Sequence, residues 1–189
     1  MVIFLAGLVL FLGVHSISII NDPWRNRMVD KIGEGPWKGL YSLAAIAGFI
    51  VMVWGYGLAR YDTAILYSPP TWLQHISLLL LLPVFPLLIA AYLPGRIKAA
   101  VKHPMLLAVK LWALSHLLAN GSVISVILFG SILAWAVVDR ISLNHRNQRP
   151  IPGIPSTQFN DILAVAAGIG MYFAFVLWLH NLLFGVSPY

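Results

Sequence analysis

The chain has no cysteine among its 189 residues, which removes disulfides, thiolate haem ligation, iron–sulfur clusters and cysteine nucleophiles together. Charge is nearly as scarce: 10% of residues are Asp, Glu, Lys or Arg, against roughly a quarter in soluble domains. There is no glycine-rich phosphate loop, no serine–histidine–acid set, no paired carboxylates and no HExxH motif. The ligand chemistry left to the chain is that of His, Asp, Glu, Met and Tyr.

What is present is hydrocarbon. Hydrophobic residues make up 60% of the chain, and a span needs about 20 mainly apolar residues to cross a core of roughly 30 Å. Six stretches qualify, at about Val2–Ile20, Lys38–Leu58, Thr71–Leu93, Lys102–Leu118, Ser122–Val138 and Asn160–Phe184. Asn120-Gly121 separates the fourth and fifth as a tight reversal suited to positive φ. A proline-rich loop, residues 149–155, precedes the sixth. The first stretch lacks a basic start and a small-x-small cleavage site, so it is expected to stay in the mature protein. These features predict an all-α, polytopic membrane helical bundle of about six transmembrane helices in one domain over residues 1–189, with the lipid bilayer as its main partner.

Basic residues set the expected orientation, because short loops rich in Lys and Arg stay cytoplasmic. Arg25, Arg27, Lys31 and Lys38 lie in the first loop, Arg96, Lys98 and Lys102 in the third, and Arg140, Arg146 and Arg149 in the fifth; these are ten of the twelve basic residues. Both termini are therefore expected on the outer side. The net charge of +6 reads as topology and contact with anionic headgroups; the basic residues line no single helix face, so nucleic acid is not an expected partner.

Packing signals accompany the spans. Ala44 and Gly48 form a small-xxx-small pair, and Gly55, Gly57, Gly168 and Gly170 would also admit a neighbouring backbone. Pro83 and Pro86 predict a kink in the third span, freeing the carbonyls of Leu79 or Leu82, and a kink there is a candidate pocket wall. Asp139 and Arg140 read as an interfacial ion pair. Lys110 reads as a snorkelling lysine, with Asp139 as its alternative partner.

Five of the six histidines, His15, His75, His103, His116 and His180, fall in or at the ends of the apolar stretches. Ionisable groups at such positions mark functional sites, and imidazole is a common metal ligand. At 1.5 Å of rise per residue, His15 lies roughly 8 Å from the cytoplasmic end of its span and His116 about 6 Å from the outer end of its own. An inner pair, His15 and His103, and an outer trio, His75, His116 and His180, follow from that depth. Trp112, His116 and Asn120 recur every four residues as one stripe, and Ser16 and Ser18 flank His15. His75 and His180 also suit interfacial roles, His103 a capping role before Pro104, and His145 a solvated loop.

Several blocks, in order, carry a family resemblance: Leu12-Gly13-Val14-His15-Ser16-Ile17, Lys38-Gly39-Leu40-Tyr41-Ser42 and Pro69-Pro70-Thr71-Trp72-Leu73-Gln74-His75. His103-Pro104-Met105-Leu106 and residues 111–121, from Leu111-Trp112 to Asn120-Gly121, complete the set. The chain resembles the NnrU family, which implies a multi-pass protein of the bacterial inner membrane associated with denitrification and supporting nitrite or nitric oxide metabolism. That family is similar to the zeta-carotene isomerases, which implies haem b held by a His-Ser histidine and a Trp-x-x-x-His histidine, here His15 and His116. Ala113 stands where the isomerases have cysteine, which implies that any cysteine-based ligand switching is lost. The resemblance implies His15 and His116 on the metal, with Trp112 beside His116, and an apolar or small-molecule substrate; depth and charge add His103 and Lys102 to the expected cofactor-binding set. An inner pair of His15 with His103 remains the alternative, with basic Arg25, Arg27 and Lys102 near the propionates.

A second reading comes from the stretch between His103-Pro104 and Asp139-Arg140-Ile141, which resembles small membrane methyltransferases using S-adenosylmethionine. It departs from them in having Lys102 for arginine and no glutamate over residues 142–145. The third reading is a non-catalytic membrane subunit or assembly factor.

Overall fold

In a computed structural model, which describes residues 1–146, 149, 155–157 and 159–188, the regular structure is helical apart from one isolated bridge between Ile65 and Ser122. Helix α1 runs Val2–Ile20, α2 Asp22–Ile32 and α3 Glu34–Ala59; α4 covers Thr71–Leu81, α5 Val84–Tyr92 and α6 Arg96–Val101. Then come α7, Pro104–Ala119, α8, Val123–Ser142, and α9, Phe159–Ala174, which continues through a π-helical turn, Phe175–Leu179, into α10, His180–Phe184. Most of the proline-rich loop, residues 150–154, lies outside the described residues.

Local chemistry explains several boundaries. Asn21 ends α1 and caps α2, its Oδ1 accepting from the Trp24 N–H at 2.9 Å, with Pro23 where no N–H is needed. Pro104 opens α7 for the same reason. The third predicted span divides in two because Pro83 cannot donate to the ladder. Leu82 N–H turns to Leu79 O at 3.3 Å, so the carbonyl left over is that of Leu78, where Leu79 or Leu82 was expected. Pro86 falls in the first turn of α5, where a missing N–H costs nothing.

Among the described residues five apolar segments reach spanning length: Val2–Ile20, Glu34–Ala59, Thr71–Tyr92, Val123–Ser142 and Phe159–Phe184. The sixth predicted span is α7, an apolar helix of 16 residues, about 24 Å long at 1.5 Å per residue. The protein is a multi-pass membrane protein by these helices, and its side chains are sorted accordingly. On α3 the buried positions are Gly48, Met52, Gly55 and Ala59, while Leu43, Ile46, Phe49, Ile50 and Trp54 are exposed. Small residues inside and large ones outside is the arrangement favoured where the surrounding solvent is itself hydrocarbon and close backbone approach drives association.

Contacts gather in two compact units, residues 1–66 with 122–147, and residues 67–121 with 148–189. In the first, α1 and α3 run antiparallel in a register set by glycine. A Cβ on Gly7 would lie 2.2 Å from Met52 N, one on Gly55 2.3 Å from Phe4 N, and one on Gly48 2.7 Å from Phe11 N. Phe4, Leu8, Met52, Ala59 and Ile124 of α8 form the core beside this seam. Gly57 meets nothing, so it takes no part in the expected glycine packing.

In the second unit, Val84 and Leu87 of α5 pack with Ala108 of α7, and Gly168 of α9 leaves room for Pro86, whose N would sit 2.4 Å from a Cβ. Gly170, like Gly57, meets no neighbour. Ser77 and Ser115 clamp α4 to α7 reciprocally, each hydroxyl donating to the other's carbonyl at 2.9 and 2.7 Å. Asp161 of α9 accepts from the backbone N–H groups of Arg96 and Ile97 at 2.8 and 3.0 Å, and Gly95 is required because a Cβ would meet that carboxylate at 2.5 Å. The Asn120-Gly121 turn differs from expectation. Neither residue has positive φ; Gly121 is needed because the Tyr67 carbonyl occupies the place of a Cβ.

Candidate histidine sites

His15 sits on α1 within the first unit. Its Nδ1 lies 2.7 Å from the Phe11 carbonyl; a carbonyl only accepts, so Nδ1 carries the proton and Nε2 of the neutral ring keeps its lone pair. Three aromatic rings surround it: Phe11 at 4.3 Å, Tyr41 of α3 at 5.5 Å, and Trp135 of α8 at 5.7 Å and nearly perpendicular.

His116 repeats this arrangement in the second unit. Its Nδ1 is 2.8 Å from the Trp112 carbonyl, the Trp112 ring is 4.9 Å away, and Asn120 donates to the His116 carbonyl at 3.0 Å. The predicted stripe on α7 is thus a bonded row, with Ala113 buried beside it. His180, after the π-helical turn, lies within electrostatic range of His116 and hydrogen-bonds through Nδ1 with Val186 O at 2.7 Å. His145 makes the same local bond to Ile141 at 3.3 Å from an exposed position. The bond is therefore a property of helical histidines in general, to which His15 and His116 add aromatic neighbours within their own units.

The other predicted site residues fall at helix ends. Lys102 ends α6 at φ 63°, a left-handed value unusual for a side chain other than glycine, and His103 occupies the N-cap position of α7 without a side-chain cap bond. His75 is exposed on α4. Lys102, His103, Trp112 and His116 all belong to the second unit, and His15 to the first.

Two expectations are corrected. Asp139 pairs with Arg146, at 2.5 Å and with both side chains largely buried, whereas Arg140 donates to Asn144 at 2.8 Å; past the end of α8, Arg146 folds back onto the carboxylate. The backbone loosened by Pro83 is covered by protein, since Tyr172 donates its hydroxyl to Leu78 O at 3.1 Å. Trp135 and Tyr41 escaped the sequence reading because they look like ordinary span aromatics, and only packing brings them to His15.

The donor set discriminates between kinds of metal site. Among the described residues no three of His, Asp and Glu gather as a metal cage. A porphyrin brings four nitrogens of its own and needs one or two axial imidazoles, each with its second nitrogen held by an acceptor; His15 and His116 each meet that requirement locally.

A family model described as NnrU protein matches residues 3–188. The chain belongs to the NnrU family. The match spans nearly all of it, including every histidine discussed above. No curated protein and no solved structure matches this NnrU-family chain.

Proposed function

We propose that this NnrU-family membrane protein binds haem b through transmembrane histidines, and that His15 and His116 are the residues that would hold it. In this reading it works in the bacterial inner membrane, both termini outward, and supports nitrite or nitric oxide metabolism or an isomerase-like reaction on an isoprenoid. The supporting observation is the backbone bond the two imidazoles share: each commits its Nδ1 proton to a carbonyl one turn back, the kind of outer bond that orients a metal-ligating histidine. When bound, haem supplies one-electron and diatomic-ligand chemistry. The chain's own part is to hold each ring in one tautomer, to surround it with aromatic and aliphatic side chains, and to keep water away. Trp112 would flank the His116 ligand, and Lys102 and His103, at the α6–α7 junction, would supply polar groups near the membrane surface.

The deciding experiment is the absorption spectrum of protein purified in detergent. A Soret band with low-spin visible bands, lost in His15→Ala and in His116→Ala and retained in His75→Ala and His180→Ala, is the expected result. A colourless protein that cannot be reconstituted with haem overturns the reading. Binding of S-adenosylmethionine by such a protein would favour the methyltransferase alternative, and binding of neither a non-catalytic subunit.

A further inference from the structure

Two buried side-chain polar atoms among the described residues have no hydrogen-bond partner, Thr63 Oγ1 and Trp135 Nε1. Thr63 follows α3 in a connecting segment. Trp135 is different: it is twelve residues into the apolar helix α8, at a depth where water is scarce and an unmet N–H is costly. Its indole could have been a phenyl ring if packing were its whole purpose. A donor kept in hydrocarbon without an acceptor is the signature of a site that receives its acceptor from outside the chain.

The surroundings define what that acceptor is. Trp135 stands edge-on to His15, and Tyr41 faces the same imidazole from α3, so three helices of the first unit bring polar-tipped rings to one place. Asp139, one turn along α8, accepts from Arg146 through Oδ1 and does not accept from the indole. The ion pair leaves no net charge beside the rings, and the ring bodies are apolar. Such a lining suits an oxygen atom, carbonyl or carboxylate, carried by a flat or chain-like hydrocarbon.

We propose that His15, Tyr41 and Trp135 line a binding site for an acceptor oxygen on an apolar molecule, with the Trp135 indole N–H as donor. Two sources share this chemistry: the carboxylate of a porphyrin and the carbonyl of a lipid-soluble quinone or similar ketone. The site lies wholly within the first unit; its porphyrin source rests on the haem reading, and its quinone source does not.

The test uses full-length protein in detergent with its seven tryptophans labelled with nitrogen-15 at the indole. Trp135→Phe identifies the Trp135 signal by its loss. Zinc protoporphyrin IX, its dimethyl ester, and decyl-benzoquinone are each titrated in. A downfield shift of the Trp135 N–H with the free acid and not the ester supports the site and assigns it to a porphyrin carboxylate. The same shift with the quinone supports the site with a neutral carbonyl, whatever the fate of the haem reading. In either case Trp135→Phe weakens the active probe about tenfold, the worth of one hydrogen bond. Should Trp135→Phe fail to fold, Tyr41→Phe and His15→Gln read the site from its other two rings, and each is expected to weaken the same probe. If no probe moves the Trp135 signal, the proposal is overturned.

Discussion

The hydroxyl of Tyr172 donates to the carbonyl of Leu78 at 3.1 Å, closing the gap that Pro83 opens in the third span. A proline break inside hydrocarbon leaves a carbonyl with no water to take it, and here a side chain from α9 answers a defect in α4. Tyr172→Phe is expected to lower the unfolding free energy by about 1–2 kcal/mol. Tyr92→Phe, at an exposed tyrosine of α5, should change little. Thermal unfolding in one detergent, followed by circular dichroism, compares them.

The α1–α3 seam predicts a contrast between glycines. Gly7→Ala drives a methyl onto the Met52 backbone and should cost about 1–3 kcal/mol by overpacking. Gly57→Ala enters open space and should be neutral or stabilise α3 by up to about 1 kcal/mol through helix propensity. Equal midpoints for the two variants would contradict the register described above.

Arg146→Met strands the Asp139 carboxylate in a largely buried position. The expected loss is about 3 kcal/mol, since removing one partner leaves the other charge uncompensated. Asp139→Asn combined with Arg146→Met should recover most of it. A double-mutant cycle on unfolding midpoints measures the coupling; additive effects would show that the pair does not hold.

Tyr67, in the segment before α4, donates to the carbonyls of Leu117 and Asn120, and burial raises its phenol above the ordinary value of 10.0. The folded state therefore keeps this proton after the unfolded chain has released it. The resulting stabilisation is complete below pH 10 and declines as pH rises through the folded value. Unfolding midpoints should fall in that alkaline range, and more steeply than in Tyr67→Phe.

Much of the helical layout was legible from residue type alone. The first span coincides with α1, and the others shift by a few residues because apolar length is a coarse ruler for a helix end. The glycines were only half legible. Gly48, Gly55 and Gly168 meet a neighbouring backbone while Gly57 and Gly170 do not, and nothing in a local window says which side of a helix a partner will take. The Trp112-His116-Asn120 row was readable because i, i+4 spacing is a property of the chain. The Asp139 partner was misread because the nearest basic residue in sequence is not the one that folds back.

The sequence by itself determined that this protein is helical and lives in a bilayer, and which family it belongs to, because composition, run length and ordered motifs are one-dimensional properties. Tertiary structure decided which glycines carry the packing, which carbonyl a tyrosine rescues, and that Trp135 stands beside His15 with its N–H unmet. Those depend on residues from separate helices arriving at one place, and that convergence has no local signature in the chain.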